Sequence, residues 1–219
     1  GFIYFINKFF FLLNFNLEKI FTKIFFKNIY LRLFKKYKYN KKIASIIKIQ
    51  CFFSPKYNYL LFQESSLKKI KNLDLDFLVR GQLPYILKGE ILCVCKNGLI
   101  SIHHGDNTWN RGGPPAYWET YKQKNSTGFI IQRLNETIDK GEILFKSNIF
   151  TKATHLLNLD NIYLESYYGL EYLINNYLKI VKFNKKQYAI PTSSYLTVPN
   201  FYQSIVYLIK LFKIFILYT

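Results

Sequence analysis

Two adjacent histidines mark the part of this chain that is richest in chemically active side chains. Residues 101–119 read SIHHGDNTWNRGGPPAYWE and hold two of the three histidines, an aspartate and both tryptophans. Imidazole transfers protons near neutral pH, and a nearby carboxylate can orient it. Because neighbouring residues of a strand point to opposite faces, His103 and His104 cannot both line one pocket unless the chain turns between them. We therefore expect them to be unequal partners.

The same stretch allows two other interpretations. Asp106 could join the histidines in a metal site, but no third ligand follows at a diagnostic spacing, so we expect no metal. Arg111 and Gly112 precede an apparent helix start, where backbone N–H groups could bind a phosphate. A simple turn bounded by prolines explains these residues equally well, and the fixed lysine of a nucleotide-binding loop is absent.

The surrounding pattern predicts the elements that would position these residues. Strands are predicted at 44–53, 76–79, 99–103 and 128–134, with one short helix capped by Ser65 or Ser66 and another over 116–123. Strands that alternate with helices are typical of βαβ units. We therefore predict an α/β fold with an open, mostly parallel sheet, Rossmann-like, with flanking helices and helical N- and C-terminal extensions. Chemistry in such sheets collects beyond the carboxyl ends of the strands, where His103 lies.

Basic, apolar wings flank this centre. The formal net charge is +18, yet residues 64–171 are nearly neutral, with 13 basic and 12 acidic residues. One or two amphipathic helices are predicted over 16–39. The sequence thus divides into a basic helical N-terminal region at 1–42, an α/β domain at 43–180, and a tail at 181–219 with a basic amphipathic helix.

The charge itself has two explanations. Lys, Asn, Ile, Phe and Tyr all have AT-rich codons, so mutational bias accounts for much of it, but basic wings also suit phosphates or anionic lipids. Lys210 and Lys213 interrupt the last apolar run, so we expect no spanning helix there. This helix should pack on its own domain or a partner, or contact a membrane peripherally. Three cysteines make no disulfide framework, which favours a cytoplasmic, reducing location.

The central segment as a whole resembles the folate-dependent formyltransferases, the family of glycinamide ribonucleotide transformylase and the catalytic domain of methionyl-tRNA formyltransferase. That family has a strand ending Asn-Ile-His, a loop closing on glycine, a helix, a Thr-Gly strand and a Leu-Asp-x-Gly turn. The corresponding residues are Ser101-Ile102-His103, Arg111-Gly112, the helix at 116–123, Thr127-Gly128 and Ile138-Asp139-Lys140-Gly141. The similarity covers about residues 74–150. The HHGDN and RGGPP elements resemble a variant branch met among surface-sugar biosynthesis enzymes.

The resemblance implies an N-formyltransferase that moves a formyl group from 10-formyltetrahydrofolate to a small-molecule amine, for example an amino sugar. His103 would shuttle a proton and bind the oxyanion, and Asp139 would orient His103 and raise its pKa. Its cofactor-binding residues would be Leu83, Pro84, Tyr85, Ile86, Leu87, Asn135 and Thr137. His104, Asp106, Arg111 and Gly112 would form a substrate loop.

Two departures from the family limit this interpretation. The family's catalytic asparagine is Ser101 here, and a hydroxyl is a shorter donor than an amide. The C-terminal section does not read as the β-barrel that methionyl-tRNA formyltransferase uses to hold tRNA, so tRNA is not expected as a substrate. The alternatives are a catalytically inactive formyltransferase-like binding protein and a basic protein of membrane surfaces.

Overall fold

The computed structural model of the chain describes residues 1–35, 47–56, 59–81, 85–183, 186–190, 192 and 195–218. These residues form a mixed α/β structure in which helices flank the sheets and also form both ends of the described chain. The predicted α/β class with helical extensions is therefore confirmed.

Six α-helices are present among the described residues, together with one 3-10 helix at Gly89–Cys93. Their bounds are α1, Phe2–Phe25; α2, Lys27–Phe34; α3, Glu64–Lys71; α4, Tyr117–Tyr121; α5, His155–Phe183; and α6, Phe201–Tyr218. The predicted helices over 16–39 correspond to α1 and α2, although residues 36–39 fall outside the described residues, and the one over 116–123 corresponds to α4. The short helix after the second strand begins earlier than predicted, because Gln63 rather than Ser65 or Ser66 is its N-cap residue.

Ten strands lie between these helices in the described part of the chain. Their bounds are β1, Cys51–Ser54; β2, Tyr59–Phe62; β3, Leu78–Val79; β4, Ile86–Leu87; β5, Leu99–His103; β6, Arg111–Gly112; β7, Ser126–Arg133; β8, Glu142–Phe150; β9, Gln187–Tyr188; and β10, Tyr195–Leu196. The predicted strand at 44–53 is shorter than expected: 44–46 fall outside the described residues, and the strand begins only at Cys51.

A five-stranded sheet in the order β3-β5-β7-β8-β9 carries the candidate site. The prediction of a mostly parallel sheet is wrong for it. Only β3 and β5 run parallel, whereas β5–β7, β7–β8 and β8–β9 are antiparallel. The short α4 between β5 and β7 does not act as a crossover, so β7 returns directly alongside β5.

The core of this sheet lies beneath α5. Ile100, Phe129, Ile131 and Leu144 of the strands pack with Ile162 and Leu173 of the helix. Gly169 of α5 sits so close to the sheet that an added Cβ would lie 2.9 Å from the Phe145 ring. Alternate residues of β5 and β7 therefore face this apolar layer, which fixes the register of the strand that ends in His103.

The two terminal helices pack side by side. Asn14 donates a hydrogen bond from Nδ2 to the Ser204 carbonyl at 2.8 Å, and the rings of Phe21 and Phe215 stack at 3.9 Å. Asn14 precedes Phe21 in α1, and their partners Ser204 and Phe215 follow the same order in α6, so the two helices run parallel. The expectation that the C-terminal helix packs on its own chain is confirmed by Tyr207 and Leu211, which are buried against Tyr117 and Trp118.

Within the described residues, α6 is also the single helix that is long and apolar enough to cross a membrane, by length and composition alone. Length and composition do not show that α6 spans a bilayer, so the expectation of no spanning helix stays a prediction. Only 17% of the helix is buried inside the structure.

Candidate active site

Strand β5 delivers its last three residues to the junction of two cavities. The narrow cavity has a volume of about 320 Å³ and the wide cavity a volume of about 900 Å³. Ser101, Ile102 and His103 line both of them, together with Arg80 and Gly112. A ligand in one cavity and a ligand in the other would therefore meet at the end of β5.

His103 is held in an unusual hydrogen-bonding state. Its Nε2 atom is shielded from solvent and has no hydrogen-bond partner. The ring lies over Gly105, where an added Cβ would approach Nε2 to 3.0 Å and the Asn110 carbonyl to 2.9 Å. Glycine at 105 thus leaves room for the imidazole. A buried polar atom without a partner costs about 1–3 kcal/mol, and such atoms concentrate at functional sites.

The pKa of His103 lies below its usual value of 6.5. Burial lowers it most, the charge of Asp139, the Asn107 side chain and the charge of Asp106 raise it, and the Arg111 guanidinium lowers it again. The predicted effect of Asp139 therefore has the expected direction, but burial outweighs it. His103 is a neutral imidazole at neutral pH, ready to accept a proton rather than to donate one.

Asp139 lies in the turn between β7 and β8, with a left-handed φ of 58°. Its Oδ2 is 3.9 Å from Nε of Arg111, and both side chains are about a fifth to a quarter exposed. Asp139 lines the narrow cavity with His103 but makes no hydrogen bond to it. The expected orienting contact is thus replaced by a longer-range electrostatic one, which Arg111 shares.

His104 turns away from His103 toward α5, as alternation along a strand predicts. Its Nε2 pairs with the Ser166 hydroxyl at 3.1 Å, and its ring packs on Tyr163 at 4.7 Å. Burial, together with the proximity of His103, lowers the pKa of His104 to about 4. His104 therefore lines the wide cavity as a neutral, anchored side chain.

Asp106 has a structural role instead of the predicted one in the substrate loop. Its carboxylate accepts hydrogen bonds from the Thr108 N–H at 3.0 Å, the Thr108 hydroxyl at 2.7 Å and the Trp109 N–H at 3.1 Å. Although burial opposes ionisation, these bonds keep the pKa of Asp106 below its usual value. It lines neither cavity, and it serves to shape the loop after His104.

The backbone conformation at position 112 requires glycine. It adopts a φ of 103°, and an added Cβ would lie 2.1 Å from the Leu196 carbonyl. This close approach allows β6 to pair in parallel with β10, with Arg111 opposite Tyr195. The pairing brings Tyr195, from the C-terminal section, into the narrow cavity. The suggestion that backbone N–H groups of this segment bind a phosphate stays a prediction, and the Arg111 guanidinium lies near Asp139.

The predicted cofactor segment is partly in place. Leu83 and Pro84 fall outside the described residues. Ile86 and Leu87 line the narrow cavity, as do Asn135 and Thr137, whereas Tyr85 packs on Phe53 at 4.7 Å and does not line it. Asn135 accepts a hydrogen bond from the Thr137 N–H and donates one to the Lys140 carbonyl, so it holds the turn that carries Asp139.

Sequence reasoning missed three features of the site. Arg80 directly follows β3 and lines both cavities, and burial lowers the pKa of its guanidinium. Gln132 presents a buried Oε1 without a hydrogen-bond partner to the narrow cavity. Tyr163 and Tyr167 of α5 line the wide cavity. A polar Gln in an otherwise apolar strand was a usable signal, whereas the tyrosines lie far away along the chain.

The curated proteins to which this chain is similar in sequence are methionyl-tRNA formyltransferases. No family model matches the chain. The methionyl-tRNA formyltransferase of Clostridium perfringens is 26% identical over 87 residues, which cover 40% of this chain and 28% of the relative. That of Ehrlichia ruminantium is 31% identical over 99 residues, covering 42% of this chain and 33% of the relative. The matched part thus spans about a third or less of these relatives.

Solved structures give weaker likenesses. The methionyl-tRNA formyltransferase from Clostridium thermocellum has a TM-score of 0.45 at 16% identity, covering 64% of this chain and 60% of that chain. A sugar N-formyltransferase from a Shewanella species has a TM-score of 0.44 at 19% identity, covering 67% of this chain and 63% of that chain. By sequence, about two fifths of this chain is thus similar to methionyl-tRNA formyltransferases.

Proposed function

We propose that this protein is an N-formyltransferase that moves the formyl group of 10-formyltetrahydrofolate to the amine of a small molecule. The observation that carries the proposal is the position of His103. Its neutral imidazole lies where two cavities meet, beside the carboxylate of Asp139, and its Nε2 atom has no hydrogen-bond partner. Transfer between two bound molecules needs such a shared group.

The narrow cavity suits the formyl donor. Its wall includes the apolar side chains of Ile86, Leu87 and Leu134, and Gln132 adds a buried acceptor without a partner. A flat pteridine ring carries both apolar faces and N–H donors at its edge, so this combination of wall and acceptor matches it. The formyl group would then point toward Ser101 and His103.

The wide cavity suits the acceptor, for which we propose an amino sugar. Tyr163 and Tyr167 offer aromatic surface, and His104 with Ser166 offers polar atoms. Aromatic faces with neighbouring hydrogen-bonding groups are suited to sugar rings, which have apolar faces and hydroxyl edges. Arg80, at the boundary of both cavities, adds a cation that would favour an acceptor or donor carrying negative charge.

Neutral His103 would act as the general base. The amine nitrogen forms a bond to the formyl carbon while the imidazole takes its proton, and the negative charge of Asp139 stabilises the resulting imidazolium. The Ser101 hydroxyl would donate to the oxyanion of the tetrahedral intermediate. The bond from carbon to the folate nitrogen then breaks, and that nitrogen receives the proton from His103.

Ser101 also supports a second candidate function, a formyltransferase-like binding protein without turnover. Its hydroxyl makes only a long hydrogen bond of 3.5 Å to the Ile102 carbonyl, and it is a shorter donor than the amide of the related enzymes. Loss of one oxyanion donor commonly lowers the rate by about 10²–10³. Both candidates require the same donor cavity and differ only in transfer.

A binding experiment tests the feature that both candidates share. We expect 5-formyltetrahydrofolate, a stable analogue of the donor, to bind the full chain in calorimetric titration. Ile138→Glu, at the exposed rim of the narrow cavity, should weaken binding about tenfold or more by adding charge to an apolar wall. The matched control Leu73→Glu changes an equally exposed apolar residue outside the cavity and should bind normally.

A transfer experiment separates the two candidates. The chain is incubated with 10-formyltetrahydrofolate and a panel of nucleotide-linked amino sugars, and mass spectrometry detects the formylated product. Product formation supports the enzyme, and normal donor binding without product from any amine supports the binding protein. Absence of donor binding to the folded chain would reject both.

A further inference from the structure

The terminal helices α1 and α6 expose an unusual amount of apolar surface. On each helix the residues opposite the buried stripe are more than half exposed and recur at helical spacing. They are Phe5, Phe9, Ile20 and Ile24 on α1, and Tyr202, Ile209 and Phe212 on α6. A surface helix of a globular domain usually carries polar residues on that face. These seven side chains define what we call the terminal-helix surface.

The charges of this surface have a single sign. Lys8, Lys23 and Lys213 are exposed on the two helices, and Lys27 follows at the start of α2. The one carboxylate of α1 and α6 is Glu18, which is fully buried. The terminal-helix surface therefore combines exposed apolar side chains and lysines with no exposed carboxylate, the pattern of helices that lie on anionic membranes.

We propose that the terminal-helix surface docks on an anionic lipid bilayer, with α1 and α6 lying in the plane of the interface. The apolar side chains would enter the boundary between headgroups and acyl chains, and the lysines would contact lipid phosphates. This extends the sequence-based expectation, which considered the C-terminal helix alone, to a two-helix surface.

A second copy of the chain fits this surface less well than a bilayer does. A contact between two copies would bring the same lysines together with no exposed carboxylate of α1 or α6 to neutralise them. The net charge of +18 adds to that repulsion. Anionic phosphates provide the complementary charge that a second copy lacks.

The packing of α6 favours an in-plane orientation over a spanning one. Ser204, Tyr207 and Leu211 are buried within the structure. The Tyr207 hydroxyl donates to Glu18 at 2.9 Å and accepts from the His155 N–H at 2.7 Å. Insertion of α6 across a bilayer would break these hydrogen bonds and expose Glu18, whereas in-plane docking keeps them.

The test is co-flotation of the full chain with vesicles. We expect binding to phosphatidylcholine vesicles that contain phosphatidylglycerol, much weaker binding to phosphatidylcholine alone, and a loss of binding in high salt. A quadruple lysine variant, K8Q/K23Q/K27Q/K213Q, should lower the partition coefficient by at least about tenfold. An apolar variant, F9Q/I20Q/I209Q/F212Q, should lower it by a similar factor.

Two control variants carry the same numbers and kinds of substitution outside the terminal-helix surface. They are K68Q/K69Q/K71Q/K152Q and L73Q/F150Q/L178Q/I190Q, which change exposed residues only. Both should bind like the unmodified chain, and circular dichroism checks that all four variants are folded. An equal loss in the controls, or equal binding to neutral and anionic vesicles, would overturn the proposal.

Two further outcomes would also overturn it. Self-association that the apolar variant abolishes, without binding to any vesicle, would assign the surface to a contact between copies. Resistance of bound protein to alkaline carbonate extraction would show that α6 spans the bilayer.

Discussion

His103 and His155 both have pKa values lowered by burial, but their hydrogen bonds are opposite in kind. His103 lines two cavities, and its Nε2 has no partner. His155 donates from Nε2 to the Pro115 carbonyl at 3.0 Å, and its backbone N–H donates to the Tyr207 hydroxyl. Burial alone therefore does not distinguish them; the unmet hydrogen bond of a residue that lines both cavities does.

His155 is joined by hydrogen bonds to a buried carboxyl group of the first helix. Glu18 accepts from the Leu156 N–H with Oε1 and from the Tyr207 hydroxyl with Oε2, so a carboxyl group of α1 ties the N-terminus of α5 to α6. None of these residues lines either cavity. A buried side chain whose polar atoms are paired away from a cavity fixes a structure, whereas an unpaired one in a residue that lines a cavity is available to a ligand.

The largest expected effect comes from exchanging each histidine for glutamine. His103→Gln should lower kcat for formyl transfer by about 10²–10⁴, the usual contribution of a general base, with little change in stability. His155→Gln should leave kcat of the folded protein unchanged but lower the free energy of unfolding by about 1–3 kcal/mol, because its buried hydrogen bond is disturbed. Turnover kinetics and urea unfolding measure the two quantities.

The contrast fails if the two variants behave alike. A His103→Gln protein that is as destabilised as His155→Gln and retains transfer would show that His103 is also structural. Binding of 5-formyltetrahydrofolate provides the control, since it should persist in both variants.

The second effect is a pH dependence of stability at Glu18. Burial raises the pKa of Glu18 to about 7, although the nearby Thr154 side chain and hydrogen bonds from Leu156 and Tyr207 oppose the rise. The folded chain thus keeps Glu18 protonated while the unfolded chain ionises it. Stability from this group is greatest below the unfolded pKa and is lost as the pH rises toward 7.

Glu18→Gln should remove that loss. The free energy of unfolding of the variant, minus that of the unmodified chain, should increase by about 3 kcal/mol from about pH 5 to about pH 8. The contribution of His155, whose pKa is lowered to about 4, is common to both proteins and cancels. Urea unfolding at several pH values measures the difference, and Glu64→Gln, an exposed carboxylate of α3, is the control. A flat difference would show that Glu18 is ionised in the folded chain.

The sequence predicted the site around His103 much better than the buried cluster around Glu18. The family resemblance implied that His103 and Asp139 share one site, and the structure places both residues in the narrow cavity. Glu18 looked like an isolated acid in a basic helix, because its partners Leu156 and Tyr207 lie far along the chain. Local periodicity does not reveal which distant helix will bury a carboxylate.

The direction and pairing of the strands could not be predicted from the sequence either. An alternation of strands and helices predicted parallel pairing, yet Ile102 pairs antiparallel with Ile131 because the connection through α4 simply returns the chain. The pairing of Arg111 with Tyr195 joins two-residue strands that carry no pattern of their own. The predicted rise in the pKa of His103 failed because burial, which outweighed Asp139, is a property of the whole fold.

The smallest expected effect comes from substitution of Ser101, the neighbour of His103 in the candidate site. This side chain is 4% exposed, lies next to His103 along one face of β5, and lines both cavities. Ser101→Asn supplies a longer amide donor at the position of the developing oxyanion, and should raise kcat by about tenfold or more with unchanged affinity for 5-formyltetrahydrofolate. Ser101→Ala should lower kcat below that of the unmodified chain. Steady-state kinetics with the amino-sugar panel compares the three proteins. If Ser101→Asn binds the donor normally and gains no turnover, the missing amide is not what limits the site, and His103 then lies in a pocket that binds the donor without transferring its formyl group.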